Sequence, residues 1–451
     1  MKIKTDIPLY LSDVARILKT NFSVNTKINA ISTDSRNCEK NDLFFALSGE
    51  NFDGADFIYD AKAKGAYTVS TGESSDFTVA NAENALLSVS SEYKKIINPK
   101  YTVAVTGSIG KTTVKDFVSS LLSEVMKTHK TEGNFNNTIG LSYTLLSAKM
   151  GTEALICELG MNHRGEIDLL SRAINPDISI ITNIGTAHIG NLGSREEIAK
   201  AKLEIENGML GGKTIIKSDE ILLAHTKNPY YISYSDCSAD LFMNLIETNL
   251  HGSRFFAKTK SFEKIFETKL YARHTLDSLA FAIAVCDIIG IEVNNIDAAI
   301  RNISEKNLRQ KFINSNGYTF FDDSYNSSPE AVVADFDMLQ KLGNNNGAIL
   351  GDMLELGERS EALHRYVGAE CARYGFKKLY AFGKYATFIA DGATAGGMKK
   401  ENVFVNTDLK SPEATALSVK NTYNGETLLV KGSHSVNTNR IIEILTKGED
   451  K

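Results

Sequence analysis

Residues 106–113 read TGSIGKTT, a glycine-rich turn followed by a lysine and two threonines. Gly107 and Gly110 allow the backbone to turn tightly and to point its N–H groups at phosphate oxygens. Lys111 can bring a positive charge to the β- and γ-phosphates, and Thr112 can offer its hydroxyl to Mg²⁺. The spacing predicts a phosphate-binding loop for ATP. Its predicted nucleotide contacts are Gly107, Ser108, Ile109, Gly110, Lys111, Thr112 and Thr113.

The residues on either side of this loop should form a strand and a helix. Residues 101–106, YTVAVT, are a β-branched apolar run typical of a strand buried on both faces. Residues 112–127 carry apolar side chains at helical spacing and predict an amphipathic helix. A longer common form of the loop has glycine where Val105 stands, so the match is to a shorter variant, TGxxGKTT. A chance glycine-rich turn is the alternative, and the flanking elements argue against it.

Three further side chains could act beside the loop. Glu158 ends the apolar run ALICE, so its carboxylate should emerge at the carboxyl end of a parallel strand, where it suits Mg²⁺. His188 follows another strand, in TNIGTAHIG, and Lys202 lies in a helical segment, IAKAKLEI. Taken singly, such carboxylates and lysines are usually solvated, and a lone histidine is usually structural. The predicted position at one sheet edge favours Glu158 and His188, whereas nothing in the pattern singles out Lys202.

Two polar segments are candidates for ligand contacts. Residues 131–140, TEGNFNNTIG, lie between two predicted helices, and their asparagines could cap a helix or bind a polar ligand. In FFDDSYNSSP, Asp322 and Asp323 end a strand, while Ser328 and Pro329 begin a helix. Polar residues at that edge of a Rossmann-like sheet often meet a ligand.

The alternation of strands and helices predicts an α/β protein of three domains. A small N-terminal α/β domain should span residues 1–85, where strands are short. A central doubly wound, mostly parallel sheet carrying the phosphate loop should span 86–305. A second alternating series, beginning with YTFF at 318, predicts a C-terminal Rossmann-like domain over 306–451.

The composition excludes several classes of protein. The net charge of -5, without long charged blocks, argues against binding of nucleic acid. The longest apolar runs are too short to span a bilayer and the N-terminus lacks a signal-peptide core, so we expect a cytoplasmic protein with no membrane partner. The five scattered cysteines form no CxxC pair and are expected to be reduced core residues.

Taken together, ten segments of this chain resemble those of the Mur ligase family, in the expected order and over nearly the whole length. They are STDSR (32–36), DLFFALSGENFDGADF (42–57), TGSIGKTT (106–113), GNFNNTIG (133–140), ELGMNHRGEI (158–167), NIGTAHIGNLGS (183–194), AKAKLEI (199–205), DDSYNSSP (322–329), GDMLELG (351–357) and LVKGS (429–433). DDSYNSSP and GDMLELG are similar to the branch of the family that adds D-alanyl-D-alanine.

The resemblance implies an N-terminal domain that holds the UDP end of a substrate, a central ATPase, and a C-terminal domain that closes over the nucleotide. It also implies that ATP phosphorylates the terminal carboxylate of a UDP-N-acetylmuramoyl-tripeptide. The amine of D-alanyl-D-alanine would then attack the acyl phosphate, in a step of peptidoglycan precursor synthesis. The implied partners are these small molecules, and we expect a monomer.

The resemblance also implies roles for particular residues. Thr112 and Glu158 would hold one Mg²⁺, His188 would help to hold a second, and Lys202 aligns with a family lysine that can be carbamylated. The implied catalytic residues are Lys111, Glu158, His188 and Lys202. The implied ligand contacts are Ser35 and Arg36 for uridine diphosphate, Thr131, Asn134 and Asn137 for the muramoyl group, and Asp323, Tyr325 and Asn326 for the nucleotide.

Three departures from the family pattern affect these expectations. The family's HNxxN segment on the adenine side reads His274-Thr275-Leu276-Asp277 here, so the amide contacts expected to adenine are not implied for this chain. Leu141 follows NNTIG, where proline is usual, and His434 follows LVKGS, where arginine is common. An anion contact by His434 would be weaker than one by arginine and would depend on pH.

Two other ligases and one protein of a different class are the alternatives. A Mur ligase that adds the third amino acid, or a folylpolyglutamate-type ligase, would share the central site, but neither a DNPR-type signature nor a DYAHTP-like segment is present. A regulatory protein that binds a nucleotide without turnover would not need Lys111, Glu158 and His188 together.

Overall fold

The computed structural model describes residues 1–49, 52–249, 252–270, 273–303 and 311–447. Three main β-sheets follow one another along these residues, and helices pack against each sheet. The α/β class predicted from the alternating pattern is confirmed.

The first sheet has five short strands in the order β1-β4-β5-β8-β9, all parallel except β1. Two small antiparallel ladders, β2 with β3 and β6 with β7, accompany it. The elements are β1 (Lys2–Ile3), β2 (Leu9–Tyr10), α1 (Leu11–Leu18), β3 (Lys27–Ile28), β4 (Ile31–Ser32), β5 (Leu43–Phe45), β6 (Ser48–Gly49), β7 (Phe52–Asp53), α2 (Ile58–Ala63), β8 (Tyr67–Ser70), β9 (Phe77–Thr78) and α3 (Ala82–Ile97).

The second sheet has nine strands, in the order β11-β12-β10-β13-β14-β15-β16-β17-β18. The first seven in this order are parallel, and β17 and β18 extend the sheet by antiparallel pairing. The strands are β10 (Tyr101–Thr106), β11 (Thr128–Lys130), β12 (Ala154–Glu158), β13 (Ile178–Ile181), β14 (Lys213–Lys217), β15 (Pro229–Ser233), β16 (Leu241–Asn249), β17 (Gly252–Lys258) and β18 (Glu263–Thr268). The helices are α4 (Lys111–Ser123), α5 (Thr138–Ser147), α6 (Glu166–Ile174), α7 (Ile189–Leu192), α8 (Arg195–Leu203), α9 (Arg273–Ile289) and α10 (Val293–Asn302).

Helices cover both faces of the parallel part of this sheet. Apolar side chains of α4, α9 and α10 form the core on one face, and those of α5, α6 and α8 form the core on the other. Because both faces are buried, the central strands need apolar residues at every position, and Val103, Ala104 and Val105 in β10 are fully buried. The predicted doubly wound, mostly parallel sheet is confirmed.

The third sheet has six strands, in the order β19-β20-β24-β21-β22-β23, and only β19 is antiparallel to its neighbour. Helices again lie on both faces, as expected for a Rossmann-like domain. The elements are β19 (Lys311–Ser315), β20 (Tyr318–Asp322), α11 (Pro329–Leu342), β21 (Asn346–Gly351), α12 (Ser360–Arg373), β22 (Lys378–Phe382), α13 (Ala386–Ala395), β23 (Val403–Asn406), α14 (Pro412–Thr422), β24 (Thr427–Lys431) and α15 (Asn439–Thr446).

The structure describes the chain at only one of the two domain boundaries that were predicted from changes of pattern. The boundary at 85/86 falls within α3, a helix whose Leu86 packs in the core of the first sheet and whose Leu87 packs in the core of the second. The boundary at 305/306 lies outside the described residues. The division into domains 1–85, 86–305 and 306–451 stays a prediction.

No helix in the described ranges is long and apolar enough to cross a bilayer.

All five cysteines are free thiols, but Cys237 is exposed, so the expected core position is wrong for it. Cys237 lies between β15 and β16, where the chain is at the surface. The buried cysteines are Cys38, Cys157, Cys286 and Cys371.

Candidate active site

The predicted phosphate loop joins the end of β10 to the start of α4. Gly107 has a φ of 148° and Gly110 a φ of 82°, in the region that favours glycine. A Cβ atom at Gly107 would lie 1.8 Å from Oγ1 of Thr182, so only glycine fits there. The loop therefore has the backbone geometry that its sequence predicted, at the N-terminus of a helix that favours anions.

The segment that follows β13 holds this loop in place. The side chain of Asn183 accepts a hydrogen bond from the Ile109 N–H at 3.0 Å and donates one to the Ile109 carbonyl at 3.1 Å. The Ser108 hydroxyl accepts a hydrogen bond from the Gly185 N–H at 2.9 Å. The Asn183 side chain thus holds both backbone groups of Ile109 in the phosphate loop. The sequence analysis did not select this residue.

Lys111 and Thr112 both lie in the first turn of α4, with Thr113 next to them. The Lys111 ammonium donates hydrogen bonds to the carbonyl oxygens of Gly107 and Ser108, at 2.7 and 3.3 Å. The lysine is thus folded back over its own loop, where its charge can meet phosphate oxygens.

Glu158 lies where the sequence predicted, at the carboxyl end of β12 beside the phosphate loop. It is 2% exposed, and its Oε2 accepts a hydrogen bond from the Thr112 hydroxyl at 2.8 Å. The Asn136 amide donates to its Oε1 at 2.9 Å, and Nζ of Lys115 lies 3.6 Å from its Oε2. A buried carboxylate needs such partners.

Lys115 and Asn136 are the main functional candidates that the sequence analysis missed. Lys115 is 1% exposed and also donates to the carbonyl oxygen of Gly133, at 3.2 Å. Its position four residues after Lys111 places both on one side of α4, a signal that was available in the sequence. Asn136 lies within GNFNNTIG, but its contact with Glu158 depends on the tertiary fold.

The three residues proposed for the muramoyl group have different surroundings. Thr131 is fully buried, and its hydroxyl accepts a hydrogen bond from the Glu158 N–H at 3.1 Å. Asn137 caps α5, because its side chain accepts a hydrogen bond from the Gly140 N–H at 2.9 Å. Asn134 is exposed to solvent. Of the two roles predicted for these asparagines, Asn137 has the helix-capping one.

His188 lies with Nδ1 2.8 Å from Oε2 of Glu355, a residue of the GDMLELG segment. The His188 contact lowers the pKa of Glu355, against the effect of burial. No contact between described residues joins His188 to Thr112 or Glu158. In the described ranges there is no cluster of three or more acidic, histidine or cysteine side chains that could hold a metal.

The loop around His188 contacts the region of the third sheet at two more points. The Glu330 carboxylate accepts hydrogen bonds from the Thr186 N–H at 3.0 Å and the Thr186 hydroxyl at 2.7 Å. Gly190 and Gly357 approach so closely that a Cβ atom on Gly190 would lie 2.8 Å from the Gly357 nitrogen. Glu330 and Glu355 are further residues that sequence reasoning did not select.

Lys202 and Lys200 lie on the same helix, α8, in opposite environments. Lys202 is 1% exposed, and no carboxylate of the described residues forms an ion pair with it. Burial lowers the pKa of Lys202 well below its ordinary value, and the positive charge of Lys111 lowers it further. Lys200 is at the surface, 2.6 Å from the carboxylate of Glu197. Of the two lysines, Lys202 is the buried one, and the charge of Lys111 affects its pKa.

The proposed uridine-diphosphate residues lie beside the first sheet, in the short 3₁₀ helix Ser35–Asn37. Lys64 donates hydrogen bonds to the carbonyl oxygens of both Ser35 and Arg36, at 2.8 Å each. The Arg36 guanidinium forms an ion pair with Asp34 at 2.9 Å and is otherwise open to solvent. The side-chain hydrogen bond to Arg36 lowers the pKa of Asp34 to about 2.

The third group of predicted residues follows β20. Asp323 forms an ion pair with Lys431, the Tyr325 ring stacks on His434 with centroids 5.1 Å apart, and the Asn326 amide oxygen accepts a hydrogen bond from the Ser327 N–H. His434, where arginine is common, therefore has an aromatic neighbour.

The altered adenine-side segment lies at the start of α9. Asp277 forms an ion pair with Lys217, the last residue of β14. Ser278, the next residue, has its hydroxyl 3.8 Å from the position of a Cβ atom on Gly110. This helix therefore starts beside the phosphate loop. The side chain of His274 lies outside the part of the chain that the structure describes.

This chain is similar to known proteins in its sequence and in its structure. The family profile described as "Mur ligase family, catalytic domain" matches residues 27–123, "Mur ligase middle domain" matches 105–286, and "Mur ligase, glutamate ligase domain" matches 308–434. A Bacillus subtilis protein, UDP-N-acetylmuramoyl-tripeptide--D-alanyl-D-alanine ligase, is 33% identical over 433 residues, with 93% of each chain covered. The chain belongs to the Mur ligase family. An Escherichia coli protein of the same name is 28% identical, and the match covers 97% of this chain and 98% of that one.

Solved structures of Mur ligases have the same overall fold as this chain. MurF from Acinetobacter baumannii superimposes with a TM-score of 0.89 at 26% identity, over 99% of this Mur ligase and 100% of that chain. MurF from Thermotoga maritima, solved in complex with ADP, superimposes with a TM-score of 0.81 at 24% identity, over 92% and 96% of the two chains.

Three sets of predicted site residues in this Mur ligase differ in the contacts that hold them. The phosphate loop, Thr112, Glu158 and Thr131 are joined by direct contacts. His188 is joined to the region of the third sheet through Glu355. Within the described residues, the side chains of Ser35 and Arg36 form no hydrogen bond or ion pair with either of these two sets. A substrate that reaches from the first sheet to the phosphate loop would have to bridge them.

Proposed function

We propose that this Mur ligase uses ATP to join D-alanyl-D-alanine to UDP-N-acetylmuramoyl-tripeptide, in peptidoglycan precursor synthesis. The relatives from Bacillus subtilis and Escherichia coli, matched over 93% and 98% of their own lengths, carry the name of this reaction. The structural observation that carries the proposal is the partly buried hydrogen bond from Thr112 to Glu158 beside the phosphate loop. This pair, with Lys111, is suited to phosphoryl transfer from ATP.

The proposed reaction has two steps, because a carboxylate is a poor electrophile until one oxygen becomes part of a leaving group. The γ-phosphoryl group moves from ATP to the terminal carboxylate of the tripeptide, which gives an acyl phosphate and ADP. The amine nitrogen of D-alanyl-D-alanine then attacks the carbonyl carbon, phosphate leaves with the C–O bonding electrons, and the amine loses a proton. Lys111 offsets the repulsion between the two anions in the first step.

The residues present fit a magnesium ion at the phosphate loop. Thr112 and the buried Glu158 offer hard oxygen atoms 2.8 Å apart, which suits Mg²⁺. When bound, the ion supplies positive charge at the phosphates. We place a second Mg²⁺ near His188, whose Nδ1 contacts Glu355 and whose other ring nitrogen, Nε2, would hold the metal.

We also propose that Lys202 is carbamylated. Carbamate formation joins the neutral Nζ to the carbon of CO₂ and releases a proton, and it requires an amine that is uncharged. Burial favours the uncharged amine at Lys202, and no carboxylate of the described residues holds it as an ammonium. The product would be an anion beside Lys111, able to help hold the second metal ion.

The remaining ligand contacts are assigned by region. We place uridine diphosphate at Ser35 and Arg36, and the muramoyl group at Thr131, Asn134 and Asn137. We place the nucleotide at Asp323, Tyr325 and Asn326. We further propose that the protein is a cytoplasmic monomer and that the three predicted domains carry these ligands separately.

Phosphate release tests this function directly. With ATP, UDP-N-acetylmuramoyl-tripeptide and D-alanyl-D-alanine together we expect steady release, and with any one omitted we expect none. Release with a free amino acid in place of the dipeptide would favour the ligase that adds the third amino acid or a folylpolyglutamate-type ligase. Binding of ATP without release under any of these conditions would favour a regulatory protein.

A further inference from the structure

The third sheet contains a buried ion cluster made of Asp323, Asp335 and Lys431. Lys431 ends β24 and Asp323 follows β20, and because these strands are parallel neighbours the two residues lie side by side. Asp335 reaches the same lysine from α11, with its Oδ2 3.1 Å from Nζ of Lys431. Two carboxylates thus share one ammonium group.

The two carboxylates differ in their access to a ligand. The Asp335 side chain is 1% exposed, whereas that of Asp323 is 13% exposed and lies at the carboxyl edge of the sheet. Only Asp323 can therefore turn toward a molecule bound at that edge. Asp335 is enclosed between α11 and the sheet, with Lys431 as its ion-pair partner.

If Asp323 turns away from the cluster, the buried Lys431 ammonium loses one of its two carboxylate partners. Lys431 is 2% exposed, and a buried ammonium without a carboxylate is strongly destabilising. Burial alone would lower the pKa of Lys431, but Asp323 and Asp335 outweigh it and raise that pKa above its ordinary value. Burial and the charge of Asp323 raise the pKa of Asp335 well above its ordinary value, while Lys431 opposes them. Departure of Asp323 therefore favours ionisation of Asp335.

We propose that Asp335 is a positioning residue, the reserve counter-ion of Lys431, which lets Asp323 leave the lysine and accept hydrogen bonds from a bound nucleotide. The inference rests on the proposed function, because it takes Asp323 as a nucleotide contact. Without the Asp335 carboxylate, Asp323 must stay on Lys431, and the nucleotide loses a charged acceptor.

Titration calorimetry with ADP measures this effect in the full-length protein. We expect Asp335→Asn to weaken ADP binding about tenfold, the size of one hydrogen bond to a charged group. The KM for ATP should rise by a similar factor, while kcat and the KM for D-alanyl-D-alanine change less than about twofold. Asp337→Asn is the matched control, because Asp337 lies on the same helix and pairs with Lys341 at the surface. It should bind ADP like the wild type.

A double-mutant cycle separates a positioning role from a merely structural one. Asp335 acts through Asp323, so Asp323→Asn with Asp335→Asn should bind ADP no more weakly than Asp323→Asn alone. Independent, multiplicative losses would overturn the proposal. So would an Asp335→Asn variant that is folded and binds ADP like the wild type. If the wild type itself bound no ADP, the proposed function would fall along with the inference.

Asparagine has the size of aspartate and can still accept a hydrogen bond from Lys431, so Asp335→Asn should fold. If it does not, Asp335→Glu, which keeps the carboxylate, takes its place in the calorimetry. We expect that variant to bind ADP more tightly than Asp323→Asn, because the buried lysine keeps a carboxylate partner. Binding as weak as that of Asp323→Asn would contradict the role of the charge.

Discussion

At the scale of single residues, Lys111 is the side chain on which the proposed chemistry depends most. Its ammonium lies over the loop carbonyls, so Lys111→Ala removes a charge without removing a buried apolar group. We expect turnover to fall by a factor of about 10³ or more, with the free energy of unfolding changed by less than about 1 kcal/mol. Phosphate release and chemical unfolding measure the two effects. Lys127→Ala, an exposed lysine beyond the same helix, should stay active, and unchanged ligation in Lys111→Ala would exclude the phosphate-loop role.

Lys202 is predicted to act only in its carbamylated form. Lys202→Ala should lose activity, and short carboxylic acids should partly restore it, because they can supply the missing anion. Lys200→Ala should keep wild-type activity, since Lys200 is paired with Glu197 at the surface. Steady-state rates with and without added acetate or propionate test this pair. A fully active Lys202→Ala enzyme would rule out the carbamate.

Because burial favours the uncharged amine of Lys202, the free energy of unfolding should depend on pH. A lysine whose pKa is lower in the folded state destabilises that state most below the folded pKa, and this cost disappears as pH rises toward about 10.4. In buffer depleted of CO₂, Lys202→Met should therefore be more stable than the wild type at pH 7, by on the order of 1 kcal/mol or more. The difference should shrink toward pH 10. Urea unfolding across this range measures it, and a variant less stable at pH 7 would contradict the prediction.

Several site residues could be predicted from sequence because their signals are local. The glycines, Lys111 and Thr112 form one motif, and Glu158 ends an apolar run. Asn136, Lys115 and Glu355 have roles that depend on which segments meet in three dimensions. No spacing in the sequence shows that an asparagine of one loop reaches a carboxylate at the end of β12.

At the scale of elements, the close approach of Gly190 and Gly357 leaves no room for a side chain between α7 and the GDMLELG segment. A Cβ atom on Gly190 would lie 2.8 Å from the Gly357 nitrogen and 3.2 Å from the Glu355 carbonyl oxygen. Gly190→Ala should separate α7 from the GDMLELG segment and lower kcat about 10- to 100-fold. Gly343→Ala is the control, because nothing lies within 4 Å of its Cβ position. Equal rates for the two variants would show that this approach is not required.

Strands whose residues are buried at nearly every position were predicted from the sequence, whereas strands with many exposed residues were missed. β10 and β12 lie where their apolar runs placed them, because both faces of these strands are covered. Strands β15–β18, which widen the central sheet, were not predicted. In β16, six of the nine residues are exposed, and in β18 exposed and buried positions are mixed, so neither strand has the apolar run of a central strand.

At the scale of the whole molecule, two carboxylates connect the region of the third sheet to the loop that carries His188. Glu330 contacts Thr186 through two hydrogen bonds, which are strong because the acceptor is charged. Glu330→Gln should weaken this contact, increase the radius of gyration without ligand, and raise the KM for ATP by about threefold or more. Small-angle scattering and kinetics test it. Glu361→Gln, a surface residue paired within α12, should change neither quantity, and a compact, unaffected Glu330→Gln protein would contradict the docking role.

The three-part organisation was predictable from the order of motifs, but the contacts between the parts were not. α3 belongs to two cores at once, so no change of composition marks the end of the first region. The contacts of Glu330 and Glu355 join residues more than 140 positions apart in the sequence. Such pairs depend on how the regions pack, which local patterns do not encode.

The central claim is that the acceptor amine belongs to D-alanyl-D-alanine. The most direct test is mass analysis of the product formed from ATP, D-alanyl-D-alanine and UDP-N-acetylmuramoyl-tripeptides that end in lysine or in diaminopimelate. We predict that at least one tripeptide gains the mass of the dipeptide minus one water, with ADP and phosphate formed in equal amounts. A tripeptide that stays unchanged, while a shorter precursor gains a single amino acid, would contradict the account.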